Sequence, residues 1–150
     1  MEEIQLSLHL PVSPETVFKA WLDGKSHRNF TGGDAVIDAR QGGNFSAWGG
    51  YITGIILKIE PYRRVVQSWR TTDFHAIDPS STLELTFEKE NEGTLLTLHH
   101  SDIPKGQGEK YKTGWEESYL IPMLGYFSML AEKNEKQSDS TEHLPPDDLP

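Results

Sequence analysis

Apolar and polar positions change period several times along the chain, and each change marks an element. Residues 2 to 10 alternate, with Ile4, Leu6 and Leu8 on one side and Gln5, Ser7 and His9 on the other, which predicts a strand with one buried face. The period then becomes helical. Ser13 is suited to cap the helix, Pro14 to open it and Glu15 to complement its dipole. Val17, Phe18, Trp21 and Leu22 gather on one face. Gly24 is expected to end this helix, with a second short helical turn over Lys25 to Phe30.

From Ala35 the pattern predicts an antiparallel meander. Its strands are Ala35 to Asp38, Phe45 to Trp48, Tyr51 to Glu60, Val65 to Thr71, Thr82 to Glu88 and Thr94 to His100. Between them lie turn signals: Gln41-Gly42-Gly43-Asn44, Gly49-Gly50, Pro61-Tyr62, Asp78-Pro79-Ser80 and Asn91-Glu92-Gly93. Leu83, Leu85 and Phe87 form one apolar face, continued by Leu96 and Leu98 on the returning strand. In the longest strand, parity sets Tyr51, Thr53, Ile55 and Leu57 opposite the charged Lys58, so those four are expected to point inward.

Residues 101 to 110 read as a polar loop, and from about Tyr111 to Glu135 the period is helical again. Trp115, Tyr119, Met123 and Tyr126 form a stripe that Leu120, Leu124, Phe127 and Ala131 widen. Pro122 lies inside it and should kink the helix, because its nitrogen cannot bond the carbonyl of Ser118. The polar, proline-rich residues 136–150 read as a disordered tail. Residues 1–135 are therefore expected to form a single α+β domain. Its curved antiparallel sheet of about six to seven strands wraps round the long C-terminal helix, with two short helices after the first strand. The sheet needs a cover, and that helix is the large amphipathic element available. A bent sheet and a helix meet closely only along a line, so a hollow between them is the candidate pocket.

Composition narrows the function. A net charge of −9 repels nucleic-acid phosphates and anionic lipid heads, which argues against nucleic acid as a partner. No run approaches the roughly 18 apolar residues of a membrane-spanning helix, so integral membrane association is not expected. The first residues lack the layout of a secretory signal, and a cytoplasmic location follows as the default. The chain has no cysteine, which removes disulfides, thiolate ligands and thiol nucleophiles. His99 and His100 are adjacent on a strand and point to opposite faces, so they do not converge on one ion. No GxSxG, HExxH or nucleotide-binding glycine loop occurs. No catalytic residue, metal or cofactor is assigned from the sequence.

Several strings, in this order, resemble the SRPBCC superfamily of START lipid-transfer domains, birch-pollen-allergen proteins and aromatase/cyclases. They are Ser13 to Leu22, Ala35 to Asp38 leading to Gly42-Gly43-Asn44-Phe45, Gly50 to Gly54, Ile59 to Arg70, Gly93 to Leu98, and Gly114-Trp115 with Tyr119, Pro122, Met123, Tyr126 and Phe127. Within the superfamily they are most similar to the C-terminal-domain-like members of the family named for the activator of the ninety-kilodalton heat-shock-protein ATPase. The similarity runs over roughly residues 3 to 133 and implies the helix-grip (START-like) fold. In the eukaryotic activators this domain accompanies a separate N-terminal chaperone-binding domain and linker, for which 150 residues leave no room.

On that fold the residues that can line the pocket are Trp21, Trp48, Tyr51, Thr53, Ile55, Trp69, Phe74, Leu98, His100, Trp115, Tyr119 and Met123. The alternative is that the same side chains simply fill a closed core, and His100 reads first as a satisfied, hydrogen-bonded histidine rather than a pocket group. Asp73-Phe74-His75 reads as an exposed loop. The leading expectation is a non-enzymatic binding or carrier domain for a hydrophobic, aromatic or lipid-like small molecule. Two alternatives stand beside it. One is a regulator that stimulates a heat-shock chaperone's ATPase, which the resemblance implies. The other is a cyclase- or hydrolase-like enzyme using Tyr51, His100 or Tyr119 as acid or base.

Overall fold

A computed structural model describes the backbone of residues 1–142 and the side chains of residues 1–135. The elements are β1 (Glu2–Leu10), α1 (Pro14–Leu22), α2 (Gly24–Thr31), β2 (Ala35–Ile37), β3 (Asn44–Ala47), β4 (Ile52–Glu60), β5 (Arg64–Thr71), β6 (Ser81–Glu90), β7 (Gly93–Ile103), α3 (Gly108–Trp115), a π-turn (Glu116–Leu120) and α4 (Ile121–Glu142). Seven strands form one antiparallel sheet in the order β1-β7-β6-β5-β4-β3-β2, with the helices covering its apolar face. The arrangement is the α+β helix-grip type. The expected tail begins at residue 136; α4 continues to Glu142, and residues 143–150 lie outside the described ones.

Each helix begins where the local chemistry allows. The Ser13 hydroxyl accepts the Thr16 N–H, and Pro14 occupies the first turn. The break between α1 and α2 falls on Asp23, one residue before the expected Gly24. Asp23 ends α1, and its carboxylate accepts both the N–H and the hydroxyl of Ser26, starting α2 at once.

The inward face of β4 differs from the expectation. Ile52 and Ile56 are buried, whereas Thr53, Ile55 and Leu57 are exposed on the outer face. The register with β5 slips between Ile56 and Lys58. A bulge of this kind inserts one residue and reverses parity beyond it. Lys58 does point outward, but its parity cannot be carried back across the slip.

Long-helix residues Tyr111, Trp115, Tyr119, Met123 and Phe127 are all buried at steps of four. In a regular α-helix each such step overshoots by about 40°, so five residues would drift by about 160°. The π-turn winds more residues into one turn and takes back part of that drift. There Ile121 N–H bonds the carbonyl of Glu116, five residues back, just ahead of Pro122. The irregularity expected at Pro122 thus takes the form of a π-turn that ends at Leu120, two residues before it. Leu124, read as part of the stripe, is exposed.

Candidate functional site

Beneath the helix the hollow is mostly filled by the protein's own rings. Trp21 packs against Trp115 and Tyr119 with centroids 6.4 and 5.8 Å apart, and Trp115 lies 4.7 Å from Tyr119. The space left among Trp21, His27, Gln67, Trp69, Trp115 and Tyr119 is about 20 Å³, the size of a single water.

Room opens at one end, between the β3–β4 connection and α3 with the π-turn that follows it. A cleft of about 330 Å³ is walled there by Trp48, Tyr51, Ile52, Trp69, Lys110, Tyr111, Gly114, Trp115, Ser118 and Tyr119. That volume lies at the lower end of the range for small-molecule sites. The walls are largely aromatic faces.

Three polar side chains at its rim, those of Tyr51, Lys110 and Tyr111, are bonded within the protein. The Asp73 carboxylate accepts the Tyr51 hydroxyl and the Lys110 ammonium on the same oxygen, each at 2.6 Å. Its backbone is held by a closed ring of hydrogen bonds. Asp73 N–H donates to the Thr71 hydroxyl, Thr71 donates to Tyr111, Tyr111 donates to the Gln107 side-chain carbonyl, and the Gln107 amide returns to the Asp73 carbonyl. The Lys110 and Tyr51 bonds keep the Asp73 carboxyl below its ordinary range, and Asp73 raises Lys110 in return. Burial pushes the Tyr111 phenol up.

The helical wall is positioned from far away in sequence. Glu2, on β1, accepts the N–H groups of Gly106 and Gly108, capping the start of α3 where Gln107 supplies no side-chain cap. Those bonds lower the Glu2 pKa. On the opposite wall Trp48 is held at φ 55°, a left-handed conformation that bulky residues rarely adopt. Its indole N–H donates to the Tyr119 hydroxyl at 3.2 Å. Burial raises the Tyr119 phenol well above its ordinary value.

Of the residues nominated from sequence, the structure brings Trp48, Tyr51, Trp69, Trp115 and Tyr119 together round the cleft. Trp21 borders only the small interior space. Phe74 is buried and packs on Trp69 and Tyr111, while Leu98 and Met123 belong to the closed core. Thr53 and Ile55 point away from the cleft, because the bulge in β4 leaves them on the outer face.

His100 is fully buried behind the cleft wall. Trp115 N–H donates to its Nδ1 at 3.0 Å, so Nε2 carries the proton of the neutral ring and donates to Ser81 Oγ at 2.8 Å. Ser81 in turn donates to the Trp69 carbonyl at 2.6 Å. Burial first, and then the neighbouring His99, lowers its pKa to about 3.

Ile52, Lys110, Tyr111, Gly114 and Ser118 were not among the residues nominated for the pocket. Lys110, Gly114 and Ser118 recur at steps of four beside the Tyr111–Trp115–Tyr119 stripe, a signal hidden when 101 to 110 is read as loop. Among the described residues, no group of three or more His, Cys, Asp or Glu side chains is placed to hold a metal ion. No helix among them is long and apolar enough to cross a membrane.

Residues 11–121 match the family model described as Activator of Hsp90 ATPase homolog 1-like protein. The chain belongs to this family. Similar to it is the activator of 90 kDa heat shock protein ATPase homolog of Dictyostelium discoideum, 26% identical over 83% of this chain. The match spans only 33% of that relative's length. A crystal structure of an HSP90 activator from Plasmodium falciparum superposes with a TM-score of 0.78 at 26% identity, covering 85% of this chain and 97% of that one. CalU16 from Micromonospora echinospora gives 0.70 at 27% identity, over 91% of this chain and 84% of its own. Family membership in the Activator of Hsp90 ATPase homolog 1-like group thus accounts for the helix-grip architecture.

Proposed function

We propose that this domain is a non-enzymatic binding or carrier module for a hydrophobic or aromatic small molecule, held in the cleft between the sheet and α3. The observation that carries the reading is a cleft of about 330 Å³ in which three tryptophans, three tyrosines and one isoleucine make up seven of the ten lining residues. Tyr51, Lys110 and Tyr111 at its rim are already paired, so the free energy of binding would come mainly from apolar and ring contacts rather than from a reacting centre. His100 fits a structural part in this reading, since both its nitrogens are occupied within the protein. Titration with fatty acids and polyphenols, followed by tryptophan fluorescence and native mass spectrometry, tests it. A saturable response that Trp48→Ala weakens by tenfold or more is expected; no response from the unmodified domain across both classes would refute it.

A second reading is a regulator of a heat-shock chaperone's ATPase. What supports it is the family membership, together with the Plasmodium falciparum protein described as an HSP90 activator and matched over 97% of its chain. A pull-down with Hsp90 and an ATPase assay decide it, absence of both interaction and stimulation removing this reading.

A further inference from the structure

Helix α3 carries a glycine that the fold does not require. Gly114 is not among the residues with positive φ, and a Cβ built on it meets no atom within 4 Å. Both usual structural reasons for glycine are therefore missing, a left-handed backbone and a close neighbour. Glycine in a helix interior is unfavourable relative to alanine. Gly43 and Gly54 make the contrast, since a Cβ there would stand 2.1 Å from the Asp38 carbonyl and 1.9 Å from the Ser68 carbonyl; Gly125 of α4 is as open as Gly114 but is exposed and lies off the cleft. At Gly114 the open space is the cleft itself.

A second, independent departure from local preference faces the same space. Trp48 holds its left-handed backbone while its indole lies on Gly33, where an added Cβ would stand 2.5 Å from the ring, and bonds Tyr119. One wall of the cleft is thus a ring fixed at the cost of backbone strain. On the helical side, bare backbone stands where any other residue would project a side chain.

We infer that Gly114 is the specificity-determining residue of the cleft, and that the slot it keeps open accepts a planar fused-ring aromatic molecule. This rests on the carrier reading above. A flat ring needs flat walls, and the ring faces of Trp48 and Trp115 with the side-chain-free backbone at 114 supply them. The size follows from volume: a 150 Å³ cavity holds benzene, so about 330 Å³ suits roughly two or three fused rings. Lys110 is already paired with Asp73, so the rim selects for no net charge and offers hydrogen bonds to a phenolic or carbonyl oxygen.

The test uses two probes with the same ten carbons and one hydroxyl, rigid 2-naphthol and flexible 1-decanol, against the unmodified domain, Gly114→Ala and Gly114→Leu. Binding is read by tryptophan fluorescence and calorimetry, folding by the melting temperature. The expected result is that 2-naphthol binds more tightly than 1-decanol. Gly114→Ala should raise Tm by about 2–4 °C while weakening 2-naphthol at least tenfold, and Gly114→Leu should abolish its binding. That opposition of stability and affinity is what a purely structural glycine does not produce. If Gly114→Ala lowers Tm, or leaves 2-naphthol affinity within twofold, the assignment of Gly114 is overturned while the carrier reading stands. If 1-decanol binds as tightly as 2-naphthol, the planar ligand class is overturned. If the unmodified domain binds neither probe, the carrier reading falls and this inference with it.

Discussion

Two buried histidines set the acid limit of this protein. Burial lowers His27 to about 4, against a partly opposing bond from its Nδ1 to the Trp21 carbonyl, and His100 to about 3. In the unfolded chain both rings take up protons near pH 6.5. As pH falls below that value the unfolded state gains protons that the fold refuses, so the stability present above pH 6.5 is lost progressively. His27's share ends near pH 4 and His100's near pH 3. Urea midpoints should be level above pH 7 and decline between pH 6.5 and 5, on the order of 1 kcal/mol per pH unit for each histidine. A midpoint unchanged between pH 7 and 5 would mean that both rings charge freely in the fold. The partners of His100 matter as much as its burial. Ser81→Ala leaves the Nε2 proton without its acceptor and should cost about 1–3 kcal/mol, read as a lower denaturant midpoint with an unchanged slope.

At the scale of elements, what was legible in the sequence was what repeats with a fixed period. The inward faces of β6 and β7 read correctly, because Leu83, Leu85, Phe87, Leu96 and Leu98 alternate without interruption, although β7 runs on to Ile103 through residues expected to be loop. β4 failed at its bulge, which no residue type announces in the run Ile52 to Glu60. The start of α3 was missed because its cap comes from Glu2, more than a hundred residues away, so the local sequence carries no cap signal. The candidate site was legible in part: Trp48, Tyr51, Trp69, Trp115 and Tyr119 were found, whereas Lys110 was lost with the first turn of α3, and Gly114 and Ser118, small residues inside the expected helix, gave no apolar signal. Two substitutions test the element-level account. Asp23→Ala removes the joint between α1 and α2 and should destabilise by about 1 kcal/mol. Gly54→Ala forces a methyl against the Ser68 carbonyl and the Phe45 ring, and should cost about 1–3 kcal/mol; chemical denaturation of each variant against the parent measures both.

For the molecule as a whole, occupancy of the cleft should appear as stability. A ligand at a hundred times its Kd stabilises a fold that alone binds it by about 2.7 kcal/mol, which for a chain of this length raises Tm by about 5–10 °C. Differential scanning fluorimetry with 2-naphthol measures it, and Gly114→Leu should remove the increment. The sheet order carries one further consequence. Every neighbouring pair from β2 through β7 is consecutive in sequence, whereas β1 pairs with β7, setting Ser7 beside Thr97 across 90 residues. The hairpins can zip from local contacts, but the first strand must wait as an unpaired ribbon until the last has been synthesised. On a ribosome, then, the apolar side of β1 spends nearly the whole of translation without its sheet partner. A nascent chain halted before β7 should be a ready client for chaperones that shield exposed strands.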